Sequence, residues 1–211
     1  PFAGSRMLRD LLRLQGVERL PVDQIPERFP AALPFSAGNR HRRTIAQPDV
    51  TIDVVFPQRF FRENLKLGPG GETGPVNDLV RRTTERIGAN IMGRRMFDQG
   101  EVAWPEEAPF HTPVYVLTHE KREPWVRPGG TTFHFINDGP ERALELARES
   151  AGRRDVRIAG GPDVIQQYLS LGAVDELEIA LAPVLFGGGR RLFENLREPA
   201  PQFRIDTVLD G

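Results

Sequence analysis

The chain has 211 residues, a net charge of −1 at pH 7 and a sequence pI near 6.6. This length is typical of one domain, and the balanced charge argues against partners held by overall electrostatics, such as nucleic acids. The absence of cysteine excludes disulfides, thiolate nucleophiles and cysteine-ligated metals, and it is typical of a reducing compartment. Because we find neither a membrane-spanning stretch nor the apolar core of a signal peptide, we expect a cytoplasmic protein with no membrane partner.

The first 48 residues differ in composition from the rest of the chain. They are rich in arginine and proline, and a short helix is predicted over residues 7–14. Four prolines then interrupt regular structure: Pro21, Pro26, Pro30 and Pro34. We predict an irregular extension over residues 1–48 and one domain over residues 49–211. The basic run at residues 40–43 is typical of a solvated face. Docking of a nucleic acid or protein there is the weakest alternative, given the net charge.

A glycine-rich loop at residues 62–75 precedes alternating helices and strands. Apolar or small side chains lie on one face of the first predicted helix: Val76, Leu79, Val80, Thr83 and Ile87. Gly88 is predicted to end this helix as the residue after its C-cap. Strands are predicted at residues 90–92, 113–118, 131–136, 155–159 and 177–181.

Two further helices are bounded by capping signals. Asp138 as N-cap and Glu141 at the third helical position predict the start of one helix, and Gly152 predicts its end. The other helix is predicted over residues 162–171, with Gly172 as the stop.

Strands that alternate with helices predict βαβ units and therefore an α/β fold with a mainly parallel sheet covered on both faces. Ligands of such sheets bind at the carboxyl ends of the strands. Glycine-rich turns that directly follow strands are therefore the candidate sites.

The strongest of these turns lies within residues 156–164, where a strand runs into Gly160 and Gly161 and then into a helix. Adjacent glycines allow close approach of a ligand, and a helix amino terminus offers free N–H groups to a phosphate. The alternative is a tight βα turn with a purely structural role. Asp163 in the first turn favours that alternative slightly, because a carboxylate competes with an anion.

Two other strand ends carry polar groups. Gly93 is followed by Arg94 and Arg95, whose guanidinium groups could clamp a phosphate, although exposed arginines are more often simply solvated. Thr118 and His119 end another strand and suit a phosphate or an adenine edge, but alone they are weak evidence.

The remaining polar groups favour structural roles. His134 lies inside an alternating strand and is interpreted as structural. Asp175, Glu176 and Glu178 resemble an acid–base set by spacing, but strand alternation sends Glu176 and Glu178 to the same, solvent-facing side. We assign these carboxylates no catalytic role and predict no metal site.

Together, the segments GANIMGRRMF, PVYVLTH, VRIAGGPDVIQQYL and VDELEIALAPVLFGGGRRLF resemble the dihydrofolate-reductase-like superfamily over about residues 75–208. They are most similar to the reductase half of the riboflavin-biosynthesis deaminase/reductase and its stand-alone bacterial relatives. The resemblance implies a three-layer α/β/α fold whose mostly parallel sheet ends in a C-terminal antiparallel hairpin. It also implies NADPH as cofactor, a small pterin- or pyrimidine-like substrate and a homodimer.

The resemblance assigns cofactor binding to particular residues. These are Gly93, Arg94, Arg95, Thr118, His119, Gly160, Gly161, Asp163, Val164 and Ile165. The first three resemble the turn at the adenosine 2′-phosphate, and Thr118 and His119 lie where the family contacts the ribose phosphate. The others match the diphosphate loop, in which the peptide corresponding to Gly160–Gly161 is often cis. Residues 187–189 and Phe193 match a structural signature.

Two departures from the family pattern bear on catalysis. The family's opening strand and substrate loop correspond best to residues 51–56, with Asp53 as the polar group that orients or protonates substrate and Val54 where the family has glycine. In addition, Gly211 comes where the return strand of the hairpin is expected, which predicts a truncated hairpin. Both features favour the alternative function, a catalytically inactive nucleotide-binding or interaction protein that retains the fold.

Overall fold

The computed structural model describes residues 57–181 and 189–209. Several predictions fall outside these ranges and stay predictions: the extension over residues 1–48, the helix at 7–14, the role of Asp53, and the loop glycines Gly187 and Gly188.

The described residues form alternating helices and strands. In chain order these are α1 (Arg59–Asn64), α2 (Pro75–Arg86), β1 (Ile87–Gly93), α3 (Arg94–Glu101), β2 (Pro113–Leu117), β3 (Trp125–Val126), a 3-10 turn (Pro128–Gly130), β4 (Thr132–Ile136), α4 (Pro140–Ala151), β5 (Asp155–Gly160) and α5 (Pro162–Ser170).

The five strands of the described residues form one mixed sheet in the order β3-β4-β2-β1-β5. β4, β2, β1 and β5 run parallel, and β3 is antiparallel to β4 at one edge. The register places Gly93 of β1 opposite Leu117 of β2, and Met92 opposite Gly160 of β5. The predicted α/β class with a mostly parallel central sheet is therefore confirmed.

Helices cover both faces of this sheet because successive residues of β1 point to opposite sides. Ile91 packs in a buried cluster with Tyr168 of α5 and Ala147 of α4. Its neighbour Met92 belongs to a second cluster with Phe97 of α3. Helix α3 therefore lies on one face, and α4 and α5 lie on the other.

An aromatic cluster fixes the position of α3. Phe97 is fully buried and meets the rings of Phe133 and Phe135 edge-on, with centroids 5.2 and 5.0 Å away. Pairs of this kind contribute about 0.5–1.5 kcal/mol beyond the burial of their surface. This packing holds the amino terminus of α3 at the carboxyl end of β1, where the site is expected.

The glycine stops predicted after α4 and α5 are confirmed, whereas two other predicted boundaries are wrong. Gly152 and Gly172 have φ values of 61° and 64°, in the left-handed region that favours glycine. Gly88, however, lies inside β1, because α2 already ends at Arg86. A Cβ on Gly88 would come within 2.8 Å of the Cα of Ala151, so this glycine serves close packing against α4.

The predicted capping box at Asp138 is also wrong. The N-cap of α4 is Gly139, with φ of 98°, and no side chain in the described residues caps this helix. Gly139 forms the turn that leads into α4, so Asp138 lies one position before the N-cap and does not cap the helix.

The strand predicted at residues 177–181 and the C-terminal antiparallel hairpin are not seen among the described residues. After Ser170, no described residue lies in a strand. Alternation alone does not form a strand without a surface that buries its apolar side, and Ile179, Leu181 and Ile205 are exposed. The antiparallel part of the described sheet is instead the two-residue strand β3, which sequence analysis missed.

Candidate nucleotide-binding site

Two adjacent parallel strands each end in a glycine turn that leads directly into a helix. β1 ends at Gly93 and continues as α3, and β5 ends at Gly160 and continues through Gly161 as α5. Because β1 and β5 are paired, the amino termini of α3 and α5 lie at the same edge of the sheet. Neither terminus is capped by a side chain of the described residues, and each presents the positive end of a helix dipole, which suits a phosphorylated ligand.

The two turns approach each other very closely. A Cβ added to Gly93 would lie 2.9 Å from Cγ2 of Val164 and 3.8 Å from the backbone nitrogen of Gly161. Gly160 has φ of 125°, and a Cβ there would lie 3.3 Å from the sulfur of Met96. Glycine at positions 93 and 160 is therefore required by packing and backbone conformation, and the Gly160–Gly161 peptide is cis, as the resemblance implies.

Gly161 differs from these two glycines because the space beside it is open. Apart from its chain neighbours, no atom of the described residues lies within 4 Å of the position that a Cβ on Gly161 would take. Gly161 is the N-cap of α5, and no side chain in the described residues caps that helix. A diphosphate group fits this arrangement, because main-chain atoms and a helix terminus border a space that side chains leave clear.

Arg94 lies at this edge but is already engaged by two carboxylates. Its Nε donates to Oδ1 of Asp98 at 2.6 Å, and its Nη1 donates to Oε2 of Glu120 at 2.7 Å. These hydrogen bonds raise the pKa of Arg94 above its ordinary value. Sequence analysis missed both partners, although the spacing of Arg94 and Asp98 is the i,i+4 spacing of a helical ion pair.

Arg95 is much more available than Arg94. The exposed fraction of its side chain is 74%, against 32% for Arg94. Its nearest carboxylate belongs to Asp163, with Nη1 and Oδ2 4.0 Å apart. Asp163 also forms an ion pair with the guanidinium of Arg190. Arg190 therefore offsets the carboxylate that sequence analysis regarded as a competitor for an anion.

Thr118 and His119 follow β2 and lie beside the Gly93 turn. The backbone N–H of Thr118 donates to the carbonyl of Ile136 at 3.0 Å, which joins this loop to β4. The Thr118 hydroxyl accepts a hydrogen bond from the N–H of Glu120 at 3.1 Å. His119 is exposed to solvent. The structure thus brings Gly93, Arg94, Thr118 and His119 together at neighbouring strand ends.

Other candidate groups have structural surroundings. His134 stacks on Tyr115 at a centroid distance of 5.1 Å, and burial lowers its pKa. Glu176 binds Arg86 at 2.8 Å, and Glu178 accepts a hydrogen bond from the Thr83 hydroxyl at 3.2 Å. Both glutamates therefore contact α2, although the strand alternation from which their common side was predicted is not seen in the described residues.

The described part of the chain contains no group of three or more His, Asp or Glu residues arranged to hold a metal ion. None of its helices combines the length and the apolar character needed to cross a membrane.

The chain is similar in sequence to one protein family and to a bacterial relative. The family model of the RibD C-terminal domain matches residues 37–209, which include every strand of the described sheet and both glycine turns. The uncharacterized protein YyaP of Bacillus subtilis (strain 168) is 31% identical over 64 residues, which are 30% of this chain. That match spans 34% of the length of YyaP.

Proposed function

This chain belongs to the RibD C-terminal domain family, a family of reductase domains, and from that premise we propose that it is an NADPH-dependent reductase. Its substrate in this proposal is a small heterocycle of the pterin or pyrimidine type. The observation that carries the proposal is the open space beside Gly161, at the point where the amino termini of α3 and α5 meet.

In this proposal the diphosphate of the nucleotide lies against α5. Gly160 and Gly161 allow the main chain to approach it, and the first turn of the helix, formed by Asp163, Val164 and Ile165, supplies the backbone N–H of Asp163 and the positive dipole end. The N–H groups of Val164 and Ile165 already donate to the carbonyl of Gly161, at 3.0 and 3.2 Å. The carboxylate of Asp163 does not leave an uncompensated charge there, because Arg190 is bound to it.

The adenosine end lies against the other turn. Arg95 carries the guanidinium best placed to bind a 2′-phosphate, since its side chain is largely exposed. Arg94 contributes when the phosphate replaces one of the two carboxylates that bind its guanidinium. Thr118 and His119 border the same place from the end of β2. Gly93 contributes by letting α3 and α5 come together.

The nicotinamide supplies the hydride when the nucleotide is bound, and the protein orients the reactants and excludes water. Asp53 is our candidate for the group that orients or protonates the substrate. It lies outside the described residues, so this role rests on the sequence resemblance alone. A titration of substrate reduction against pH, with Asp53→Asn as the variant, tests it.

The deciding experiment is a fluorescence titration of the protein with NADPH, followed by assays of NADPH oxidation with a panel of pterins and pyrimidines. We expect saturable binding and turnover with at least one member of the panel. Binding without turnover across the panel would favour the inactive, nucleotide-binding alternative, which Val54 in the expected substrate loop favours on sequence grounds. Absence of binding would contradict both functions.

We also propose that the protein acts as a homodimer in the cytoplasm, without a nucleic-acid or membrane partner. The apolar side chains of Ile205 and Val208 support the dimer, because 82% and 74% of their surfaces are exposed. Analytical ultracentrifugation tests it, with Ile205→Asp expected to shift the protein toward the monomer. An unchanged monomer in both proteins would contradict the dimer.

A further inference from the structure

The acidic residue Glu120 forms an ion pair with the guanidinium of Arg94. Its Oε2 accepts a hydrogen bond from Nη1 of Arg94 at 2.7 Å, while Asp98 binds Nε of the same guanidinium at 2.6 Å. One positive group thus faces two negative ones, and the three side chains together carry a negative charge. This cluster lies beside Gly93, at the end of the site proposed for the adenosine of the nucleotide.

The backbone of Glu120 is held in place by its own loop. Its N–H donates to the Thr118 hydroxyl at 3.1 Å, and the N–H of Thr118 donates to Ile136 of β4 at 3.0 Å. Glu120 therefore extends from a loop that is fixed to the sheet at its start, and its carboxylate remains near Arg94. The exposed fraction of the Glu120 side chain is 74%, so a ligand can reach and displace it.

A carboxylate in this position affects two nucleotides differently. The 2′-phosphate of NADPH is an anion that needs a guanidinium, and it must compete with Glu120 for Arg94 while being repelled by the same carboxylate. The 2′-hydroxyl of NADH carries no charge and can donate a hydrogen bond to a carboxylate, which is how acidic residues select NADH in dinucleotide-binding folds. Glu120 therefore weakens the binding of NADPH but not that of NADH.

We propose that Glu120 is a specificity-determining residue whose contact with Arg94 reduces the preference of this protein for NADPH over NADH. The inference rests on the proposed function, because it assumes that the nucleotide binds at the Gly93 and Gly161 turns. It goes beyond that function by assigning the choice between two cofactors to one ion pair. Arg95, which is largely exposed, leaves the natural protein able to bind NADPH.

The test compares dissociation constants for NADPH and NADH, measured by fluorescence titration at one fixed, low salt concentration. In Glu120→Gln the Kd for NADPH is expected to fall roughly fivefold, the effect of one exposed ion pair and its charge, while the Kd for NADH stays constant or rises. Glu123→Gln is the matched control: it removes the same charge from the same exposed loop, and the hydrogen bonds and ion pairs of Arg94 are made with Asp98 and Glu120 and not with Glu123. We expect it to leave the ratio of the two constants unchanged.

A double-mutant cycle with Arg94→Ala shows whether the effect passes through Arg94. The gain from Glu120→Gln is expected to be smaller in the Arg94→Ala protein, where only the direct repulsion of the phosphate by the carboxylate is left to remove. The inference is overturned if Glu120→Gln changes both constants alike, if Glu123→Gln has the same effect, or if the gain is undiminished without Arg94. Failure of the natural sequence to bind either nucleotide would instead contradict the proposed function, and the inference with it.

Discussion

Val164 of α5 lies so close to Gly93 that a Cβ on the glycine would come within 2.9 Å of its Cγ2 atom. The turn after β1 and the helix after β5 are therefore in close contact at this point. The contact is possible because residue 93 is a glycine and has no side chain. The geometry of the site thus depends on a packing contact as well as on its polar groups.

Gly93→Ala should therefore destabilise the protein and weaken nucleotide binding. Forcing a methyl group into this contact displaces α5, at a cost of about 1–3 kcal/mol in the free energy of unfolding. Urea denaturation measures the loss. Gly161→Ala is the control, since its Cβ would meet no atom of the described residues beyond its chain neighbours and should cost less stability than Gly93→Ala. Adding Val164→Ala to Gly93→Ala should recover part of the affinity, and failure of the pair to do so would show that the contact does not position α5.

Gly161→Val should separate binding from folding. Gly161 has φ of −76°, which a valine can adopt, and the side chain would extend into the space proposed for the diphosphate. We expect the urea midpoint to fall less than in Gly93→Ala and the Kd for NADPH to rise roughly tenfold or more. Unchanged NADPH affinity in a folded Gly161→Val protein would place the nucleotide elsewhere.

Arg95→Ala should weaken NADPH binding more than NADH binding. Its guanidinium is the more exposed of the two beside Gly93, and the loss of one charged contact to a phosphate should raise the Kd for NADPH roughly tenfold. Fluorescence titration with both nucleotides measures the difference. Arg153→Ala, at an exposed position just before β5 and thus at the opposite end of that strand, is the control for lost positive charge. Equal effects of the two variants would indicate general electrostatics.

His134 should make the protein less stable as the pH falls. Burial lowers its pKa below the ordinary value of 6.5, so near pH 6 the unfolded chain binds more protons than the folded one. Its contribution to stability is complete above the ordinary pKa and is lost as the pH falls through that value toward the folded pKa. Urea denaturation between about pH 8 and pH 5 should show a shallower decline for His134→Gln than for the natural sequence. Parallel declines would mean that His134 titrates alike in both states.

Local signals in the sequence predicted much of this fold. Gly152 and Gly172 were correctly interpreted as helix stops, because left-handed backbone after a helix is largely a property of glycine itself. The strand ends at Gly93 and Gly160 were found because each glycine follows a run of strand residues and precedes a helix. Gly88 was misinterpreted because the sequence does not distinguish a glycine that ends a helix from one that admits a neighbouring helix.

The charge environment of the site could not be predicted in the same way. Arg94 and Glu120 are 26 positions apart, and Arg190 and Asp163 are 27 apart, so their pairing depends on which strand ends are neighbours. The short strand β3 was missed because two residues carry too little periodicity to recognise. Residues 177–181 show the opposite error, since their alternation is clear but exposed Ile179 and Leu181 do not form a strand.

The two helices at the candidate site lie on opposite faces of the sheet, α3 with Phe97 on one side and α5 with Tyr168 on the other. A nucleotide bound by both amino termini would contact the helices on both faces of the sheet and so connect the two helical layers. Its binding energy would then add to the cohesion of the whole domain, raising the melting temperature in proportion to the logarithm of its concentration above the Kd. Resistance to heat would then follow the concentration of the nucleotide, because the phosphates that the two helices hold are the same in its reduced and oxidised forms.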